Sequence, residues 1–319
     1  MVGKVQDFLT HQVKERPKAP AFSDTTGVNW TFSDLDAASD ALADLFRERG
    51  TRRGDRVLLL SENCAASIAV LCAAWKLGAI AVPVNARQTE REIQRIIDHA
   101  TPFLILSTIE VSPDAVKHAN TFSLKPLSGP FGKLAISEPL GNDPYDDERV
   151  AVLLYTTGTT GDPKGVMLTH DNLRTGGAGS AHLRDMSPDD VIYGVLPITH
   201  VFGLASIVVA ALHTGAHVRL APRFTAENLF GALRQGVTLL SAVPQMHALL
   251  MQYTKQMGHA QLNSEVLRYV SSGAAPLDPA WKRKAEAFYG VAVQNGYGMT
   301  ETTAGICASR CDIGDDDIS

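Results

Sequence analysis

From residue 56 onward, short apolar runs alternate with longer stretches whose apolar residues recur at helical spacing, and this alternation confines the fold more than any other feature. It predicts strands over 57–60, 79–84 and 103–106, and helices over 65–77 and 89–99. Parallel strands need a crossover of about a dozen residues or more, usually a helix, so the rhythm reads as βαβ units on a parallel sheet. The same rhythm returns later, with strands over 191–196, 216–220, 239–243, 268–270 and 291–294. Asp278 caps the last of the intervening helices, whose apolar positions include Trp281, Ala285 and Phe288. The expected class is α/β: two packed βαβ-type subdomains, mostly parallel sheets, helices between and outside them. No internal repeat or coiled-coil heptad is visible.

Upstream, residues 5–15 read as a helix ended by Pro17, followed by extended pieces at 21–22 and 28–30. Ser33 is expected to cap a second helix, with Asp36 at its N3 position and Gly50 at its end. Leu35, Ala38, Leu42, Leu45 and Phe46 fall three and four apart, giving that helix one buried face. Residues 107–147 are less regular and richer in Pro, Gly and Ser, and read as a linking stretch. The expected division is 1–147, mainly the first subdomain with its link, and 148–319, the phosphate loop described next and mainly the second subdomain.

One stretch carries chemistry in its composition: Tyr155-Thr156-Thr157-Gly158-Thr159-Thr160-Gly161-Asp162-Pro163-Lys164-Gly165-Val166. It follows an apolar run, 150–154, that reads as a buried strand, and precedes a helix start with Thr169 as N-cap. Glycines let backbone N–H groups converge on an anion, hydroxyls add donors, and Lys164 supplies a point charge. The P-loop of nucleotide triphosphatases does not fit. Pro163 stands where its second glycine belongs, and Gly165 stands where a magnesium-binding Ser or Thr belongs. A surface turn is the bland alternative, and two glycines, four threonines and a Pro-Lys-Gly ending directly after a buried strand argue against it.

This stretch resembles the signature loop of the adenylate-forming superfamily, which includes acyl-CoA synthetases, luciferases and the adenylation domains of peptide synthetases. Three further stretches resemble that family in the expected order: Leu196-Pro197-Ile198-Thr199-His200-Val201-Phe202-Gly203, Ser272-Gly273-Ala274-Ala275-Pro276-Leu277, and Asn295-Gly296-Tyr297-Gly298-Met299-Thr300-Glu301. The resemblance implies ATP-dependent activation of a carboxylic acid to an acyl-adenylate, with coenzyme A as acceptor. It also implies that this chain is the N-terminal portion of such an enzyme, without the family's complete β-barrel and small C-terminal domain, and weak or inactive alone in complete thioester formation. Two alternatives stay open: a non-catalytic module that binds nucleotide or acyl-adenylate, and an adenylation partner of a carrier protein.

On this resemblance Thr156, Thr157, Gly158, Thr159, Thr160 and Lys164 are the candidates for the β- and γ-phosphates. Gly273, Ala274 and Ala275 are small enough to let adenine lie against backbone, and Tyr297, with Asn295 and Gly296, offers it a flat ring. Thr300 is the candidate for the α-phosphate, and Glu301 for Mg²⁺, which takes one or two protein carboxylates when bound with phosphates. Singly, Tyr297 reads as core and Glu301 as a solvated charge; as one unit they favour function. His200 is a candidate gate beside the acyl carboxylate, and with Thr300 and Glu301 completes the expected catalytic set. The acyl pocket is expected among His200, Val243, Pro244, Gly273, Gly298 and Met299. It is expected to be largely apolar, for a fatty, aryl or alicyclic acid. His247 would admit some polarity there or serve packing. Relatives that adenylate amino acids carry an aspartate after an aromatic residue near the second stretch; Val201-Phe202-Gly203 stands here instead, pointing to an acid without an ammonium group.

Composition excludes little beyond this. The 319 residues are 45% hydrophobic and 20% charged, with net charge −5 and no basic block, so nothing advertises nucleic acid or an anionic membrane as partner. No basic segment followed by an apolar run opens the chain. The most apolar run, 204–212, falls far below the roughly 20 residues that span a bilayer. A soluble cytoplasmic protein is expected. The four cysteines form no C-x-x-C pair and read as free thiols. Association into a homo-oligomer through apolar surface near the C-terminus is an open expectation.

Overall fold

The computed structural model describes residues 3–157 and 163–314. The chain begins with α1 (Gln6–Glu15), β1 (Pro20–Ser23), β2 (Asn29–Thr31), α2 (Phe32–Glu48), β3 (Arg56–Ser61), α3 (Ala65–Lys76), β4 (Ile80–Asn85), α4 (Glu90–Ala100) and β5 (Leu104–Ser107). It continues through α5 (Pro113–Thr121), β6 (Lys125–Gly129), β7 (Gly132–Ile136), β8 (Val150–Thr157), β9 (Pro163–Thr169), α6 (His170–Leu183) and β10 (Val191–Gly194). A helical segment follows, made of α7 (Val201–Gly203), a π-helical turn (Leu204–Val209) and α8 (Ala210–Thr214). Then come β11 (His217–Leu220), α9 (Ala226–Arg234), β12 (Leu239–Ala242), α10 (Pro244–Gln256), β13 (Tyr269–Gly273), α11 (Pro279–Tyr289), β14 (Val293–Met299), a 3-10 turn (Thr300–Thr302) and β15 (Ala304–Ala308).

Two sheets result, as the alternation of strands and helices requires. One runs β6-β7-β5-β3-β4-β8-β9 and the other β15-β14-β13-β12-β10-β11-β1-β2. Their interiors are parallel, and antiparallel hairpins close the ends: β6–β7 and β8–β9 in the first, β14–β15 and β1–β2 in the second. Among the described residues neither sheet closes into a barrel. The sheets exchange strands across the sequence. β1 and β2 join the second sheet although they precede all of the first, and β8 and β9 lie beyond residue 147 yet belong to the first.

The largest core cluster draws on both sheets. Ten of the twelve residues of α3 are buried, so this helix is apolar on all sides because it is enclosed on all sides. Its Trp75 is fully buried and donates Nε1–H to the Ala151 carbonyl of β8, 3.1 Å away. Residues 204–212 are buried throughout in the same way. Among the described residues no helix is long and apolar enough to cross a membrane.

Three expectations are corrected. α2 is capped by Thr31, not Ser33: the Thr31 hydroxyl accepts from the Asp34 N–H and the Asp34 carboxylate accepts from the Thr31 N–H. Thr31 has extended backbone and an acidic residue three positions on, the reciprocal arrangement of a capping box, whereas Asp36 pairs with Lys76 at 2.7 Å. Most of 107–147 is not a link. Pro113 occupies the first turn of α5, where its missing N–H costs nothing, and Gly132, at φ 85°, makes the turn of the β6–β7 hairpin that pairs onto β5. The Thr/Gly-rich stretch leads into a strand before it reaches the helix. Thr157 pairs with Pro163 across the β8–β9 hairpin, and Thr169 then caps α6 as expected, in a capping box with Asn172.

Candidate functional site

The parallel strands of the second sheet end together and deliver the motif residues to one crevice. β12 and β13 are in register through Ala242 and Ser272, and β13 and β14 through Ser272–Asn295 and Gly273–Gly296. Beyond their carboxyl ends lies the crevice that open α/β sheets use for ligands. A cavity of ≈ 110 Å³ sits there, lined by His200, Ala274, Asn295, Gly296, Tyr297, Gly298, Met299 and Thr300 among others. Stretches about 100 residues apart in sequence thus meet at one point.

Backbone geometry explains why small residues recur there. A Cβ on Gly298 would lie 1.7 Å from the Ala304 carbonyl oxygen, so only glycine lets β15 fold back onto β14 at that bulge. A Cβ on Gly273 would lie 3.0 Å from the Phe202 ring and 3.3 Å from the Gly296 carbonyl, so this glycine seats Phe202 against the sheet. Ala274, which follows it, is held at φ 64°, a conformation uncommon outside glycine and concentrated at ligand sites. Tyr297 is 59% exposed, which rules out the core role a tyrosine would ordinarily have. Thr300 is buried, while its neighbour Glu301 is exposed on the 3-10 turn.

His200 stands at the N-cap position of α7 with extended backbone. Its residue is exposed at the cavity, yet loss of solvent to the surrounding walls lowers its pKa, leaving a neutral imidazole at neutral pH. The segment that carries it is fixed by a residue from the other sheet. Asn63, buried ahead of α3, donates Nδ2–H to the Gly194 and Leu196 carbonyls at 2.9 and 2.8 Å, and its Oδ1 accepts from the Ile198 N–H at 3.0 Å.

Other expected residues lie around this cavity without lining it. Ala275 is exposed beyond Ala274, Glu301 follows Thr300, and Val243 and Pro244 join β12 to α10. Lys164 is exposed on β9, paired across the hairpin with Thr156, and β9 runs beside the turn Thr300–Thr302. Strand β9 of the hairpin therefore lies near the turn that carries Glu301. Gly158, Thr159 and Thr160 lie outside the described residues, and of Thr157 only the backbone pairing is described. Among the described residues no group of three His, Cys, Asp or Glu is placed to hold a metal ion. A single exposed carboxylate still suits an ion held mainly by phosphate oxygens.

Apolar surface predominates on the cavity wall, with several polar side chains set into it. Ser180, Ser206, Ser271, Ser272, Tyr269 and Arg184 also line it. Sequence reasoning missed them because an arginine at a helix end ordinarily complements the helix dipole, and isolated serines carry no signal. His247, by contrast, stands behind the wall. It is fully buried, its Nε2–H donates to the Ser271 carbonyl at 3.2 Å and its Nδ1 accepts from the Tyr289 hydroxyl at 2.7 Å. Burial pushes its pKa down to about 4, and its role is to brace β13.

Residues 9–318 match the family described as AMP-binding enzyme. A crotonobetaine/carnitine–CoA ligase of Escherichia coli is 28% identical over 300 residues, 88% of this chain and 57% of that protein. The chain thus spans little more than half the length of such curated relatives. Among solved structures, apo MatB from Rhodopseudomonas palustris has a TM-score of 0.81 at 25% identity, over 99% of this chain and 62% of MatB. The inhibitor-bound N-terminal domain of FACL13 from Mycobacterium tuberculosis has a TM-score of 0.80 at 24% identity, over 96% of this chain and 78% of that one.

Proposed function

The chain belongs to the AMP-binding enzyme family, and from that premise we propose that it contributes the nucleotide and acyl sites of an enzyme that activates a carboxylic acid with ATP and passes it to coenzyme A. The observation that carries this reading is the convergence of His200, Ala274 and Asn295 to Thr300 on one cavity at the strand ends, beside the β8–β9 hairpin. The curated relatives that the chain matches are acid–CoA ligases, which supports coenzyme A as acceptor.

A carboxylate is a poor electrophile with no leaving group. Its oxygen attacks the α-phosphorus of ATP, the bond to the bridging oxygen breaks, and pyrophosphate leaves with that electron pair. The mixed anhydride that forms is opened by a thiol, with AMP as leaving group. Two anions must therefore be held together while charge grows on phosphorus. Lys164 and the threonines of the 156–160 stretch hold the β- and γ-phosphates. Thr300, which lines the cavity, is the candidate donor to the α-phosphate, and the exposed Tyr297 ring is the candidate to stack on adenine against the Gly273–Ala274–Ala275 backbone. Glu301 is the residue that would hold Mg²⁺, which when bound offsets charge on the departing pyrophosphate. His200, neutral and at the cavity wall, positions the acyl carboxylate without repelling it. A cytoplasmic location fits these substrates.

Thermal stabilisation by hydrolysis-resistant acyl-adenosine sulfamates tests the reading, because a ligand that binds only the native state stabilises it by RT ln(1 + [L]/Kd). At a hundredfold excess over Kd the gain is about 2.7 kcal/mol. No stabilisation by any acyl member or by AMP would sink the proposal. Lys164→Ala is expected to weaken ATP binding far more than adenosine binding; equal losses would mean the hairpin does not cradle phosphate.

A further inference from the structure

The β8–β9 hairpin divides its residues between two faces. Val152 and Leu154 of β8, with Val166 and Leu168 of β9, pack into the core that both sheets share, whereas Leu153 and Tyr155 pack against the cluster that holds Ile93 and Ile96 of α4. Side chains alternate along a strand, so Thr156 and Lys164, which pair across the hairpin, continue the first face, and Tyr155 and Gly165 the second. β9 is the last strand of its sheet, and β8 is bonded to β4 at Val152, three residues before Tyr155. Lys164 thus stands on an arm at the edge of the sheet. On the α4 side of that arm the Tyr155 hydroxyl lies 2.7 Å from Nδ1 of His99, in the last turn of α4, with the two rings edge to face at 5.6 Å between centroids. Burial pushes the phenol's pKa up to about 12, so it keeps its proton as a donor. Gly165 leaves room for this contact. A Cβ there would lie 2.8 Å from Leu153 Cδ1 and 3.4 Å from Tyr155 Cζ, the ring carbon that bears the hydroxyl, so the bare backbone of β9 seats both side chains.

We propose that Tyr155 is a positioning residue: its bond to His99, made across the bare backbone of Gly165, holds the hairpin to α4 at the angle that presents Thr156 and Lys164 to a triphosphate. The proposal rests on the phosphate-binding reading above and adds His99, 56 positions away from Tyr155, to the residues that serve it. Tyr155 and Gly165 stand on the face opposite Lys164, so their part in the Thr/Gly-rich stretch needs no contact with phosphate. Binding groups keep their geometry only when neighbouring contacts lock the element that carries them, and an edge hairpin has fewer such contacts than an inner strand.

Ligands that differ only in their phosphates isolate this role. Affinities of the whole chain for adenosine 5′-(β,γ-imido)triphosphate and for adenosine would be measured by calorimetry in Tyr155→Phe, His99→Ala and the double variant. Phenylalanine keeps the ring and removes only the hydroxyl, and His99 is exposed beside an open cleft, so its truncation leaves no buried void. Each single substitution is expected to weaken the triphosphate by about threefold to tenfold, the scale of one neutral hydrogen bond, with adenosine unchanged. The double variant is expected to be no weaker than either single one, because both remove the same bond. His99→Asn, whose amide occupies the place of Nδ1, is expected to restore most of the affinity. If Tyr155→Phe does not fold by circular dichroism, His99→Ala and His99→Asn decide. Lys164→Ala, measured alongside, separates the proposal from the reading beneath it. A selective loss of triphosphate in Lys164→Ala with none in the Tyr155 and His99 variants overturns the positioning role and leaves the phosphate site standing. Losses that multiply in the double variant, or that fall equally on adenosine, overturn it as well. No selective loss in Lys164→Ala removes the phosphate reading and this proposal with it.

Discussion

Asn63 sits in a loop of the first sheet yet makes its three hydrogen bonds in the second, to Gly194, Leu196 and Ile198 just ahead of His200. Removing a buried partner costs about 1–3 kcal/mol for each group left unsatisfied. Asn63→Ala is therefore expected to lose on the order of 3 kcal/mol in a denaturant titration, and ligand affinity at the His200 wall with it. Asn63→Asp is nearly isosteric but sets a carboxylate against two carbonyl oxygens, so it should fold no better than the alanine variant. An Asp variant close to wild type would mean that water, not Asn63, serves those carbonyls. His247 gives a second test, through pH. Its folded pKa is lowered to about 4 from 6.5, so between those values the unfolded chain takes up the proton first and stability rises with pH. Its contribution is complete above pH 6.5 and lost as pH falls towards 4, on the order of 3 kcal/mol. His247→Gln should be less stable at pH 7 and show a shallower slope across that window; an unchanged slope would show that His247 is not the group that titrates. Residues inside contiguous motifs, such as Tyr297 and Thr300, were legible in the sequence because each is read with its neighbours. Asn63 and Arg184 were not, because their partners lie 131 and 22 residues away and each has an ordinary local reading at a helix end.

Elements were legible where periodicity is long, as in α2, α3 and α4, and misread where Pro and Gly serve inside structure instead of ending it. Pro113 begins α5 and Gly132 turns a hairpin, so a stretch rich in both became a helix and two strands. The start of α2 is a sharper case, since Ser33 and Thr31 are both acceptable caps by residue type and only the reciprocal partner chooses between them. Thr31 has it in Asp34. Thr31→Ala is expected to lower stability by about 1 kcal/mol, within the ordinary range for a lost N-cap, while Ser33→Ala changes it by less than about 0.5 kcal/mol. Thermal melts of the two variants decide it, and a larger loss for Ser33→Ala would restore the cap expected from sequence. Gly298 tests the other end of the sheet. Its neighbour across the bulge leaves no space for a methyl group, so Gly298→Ala should loosen β15 and weaken ligand binding at the cavity, visible as faster hydrogen exchange across 304–308.

At the scale of the molecule the decisive fact is the exchange of strands. A division at residue 147 separates the two rhythms in the sequence but neither sheet in space, because β1–β2 pair with β11 in the second sheet and β8–β9 pair with β4 in the first. Which strand joins which sheet is a long-range property that local periodicity does not encode. The core has the same character: Trp75 of α3 bonds to β8, and one cluster of buried side chains draws on both sheets. Residues 1–147 alone would expose the β4 edge, leave β1–β2 without a sheet, and leave the Trp75 N–H without its buried partner. We therefore expect the described chain to unfold in one transition, with far-UV circular dichroism and tryptophan fluorescence coincident in urea. The fragments 1–147 and 148–319 should each lack a cooperative melt. A sigmoidal melt for either fragment alone, or two separated transitions in the whole chain, would mean that the sheets are independent units and that the crevice between strand ends and hairpin is assembled from two bodies, not built into one.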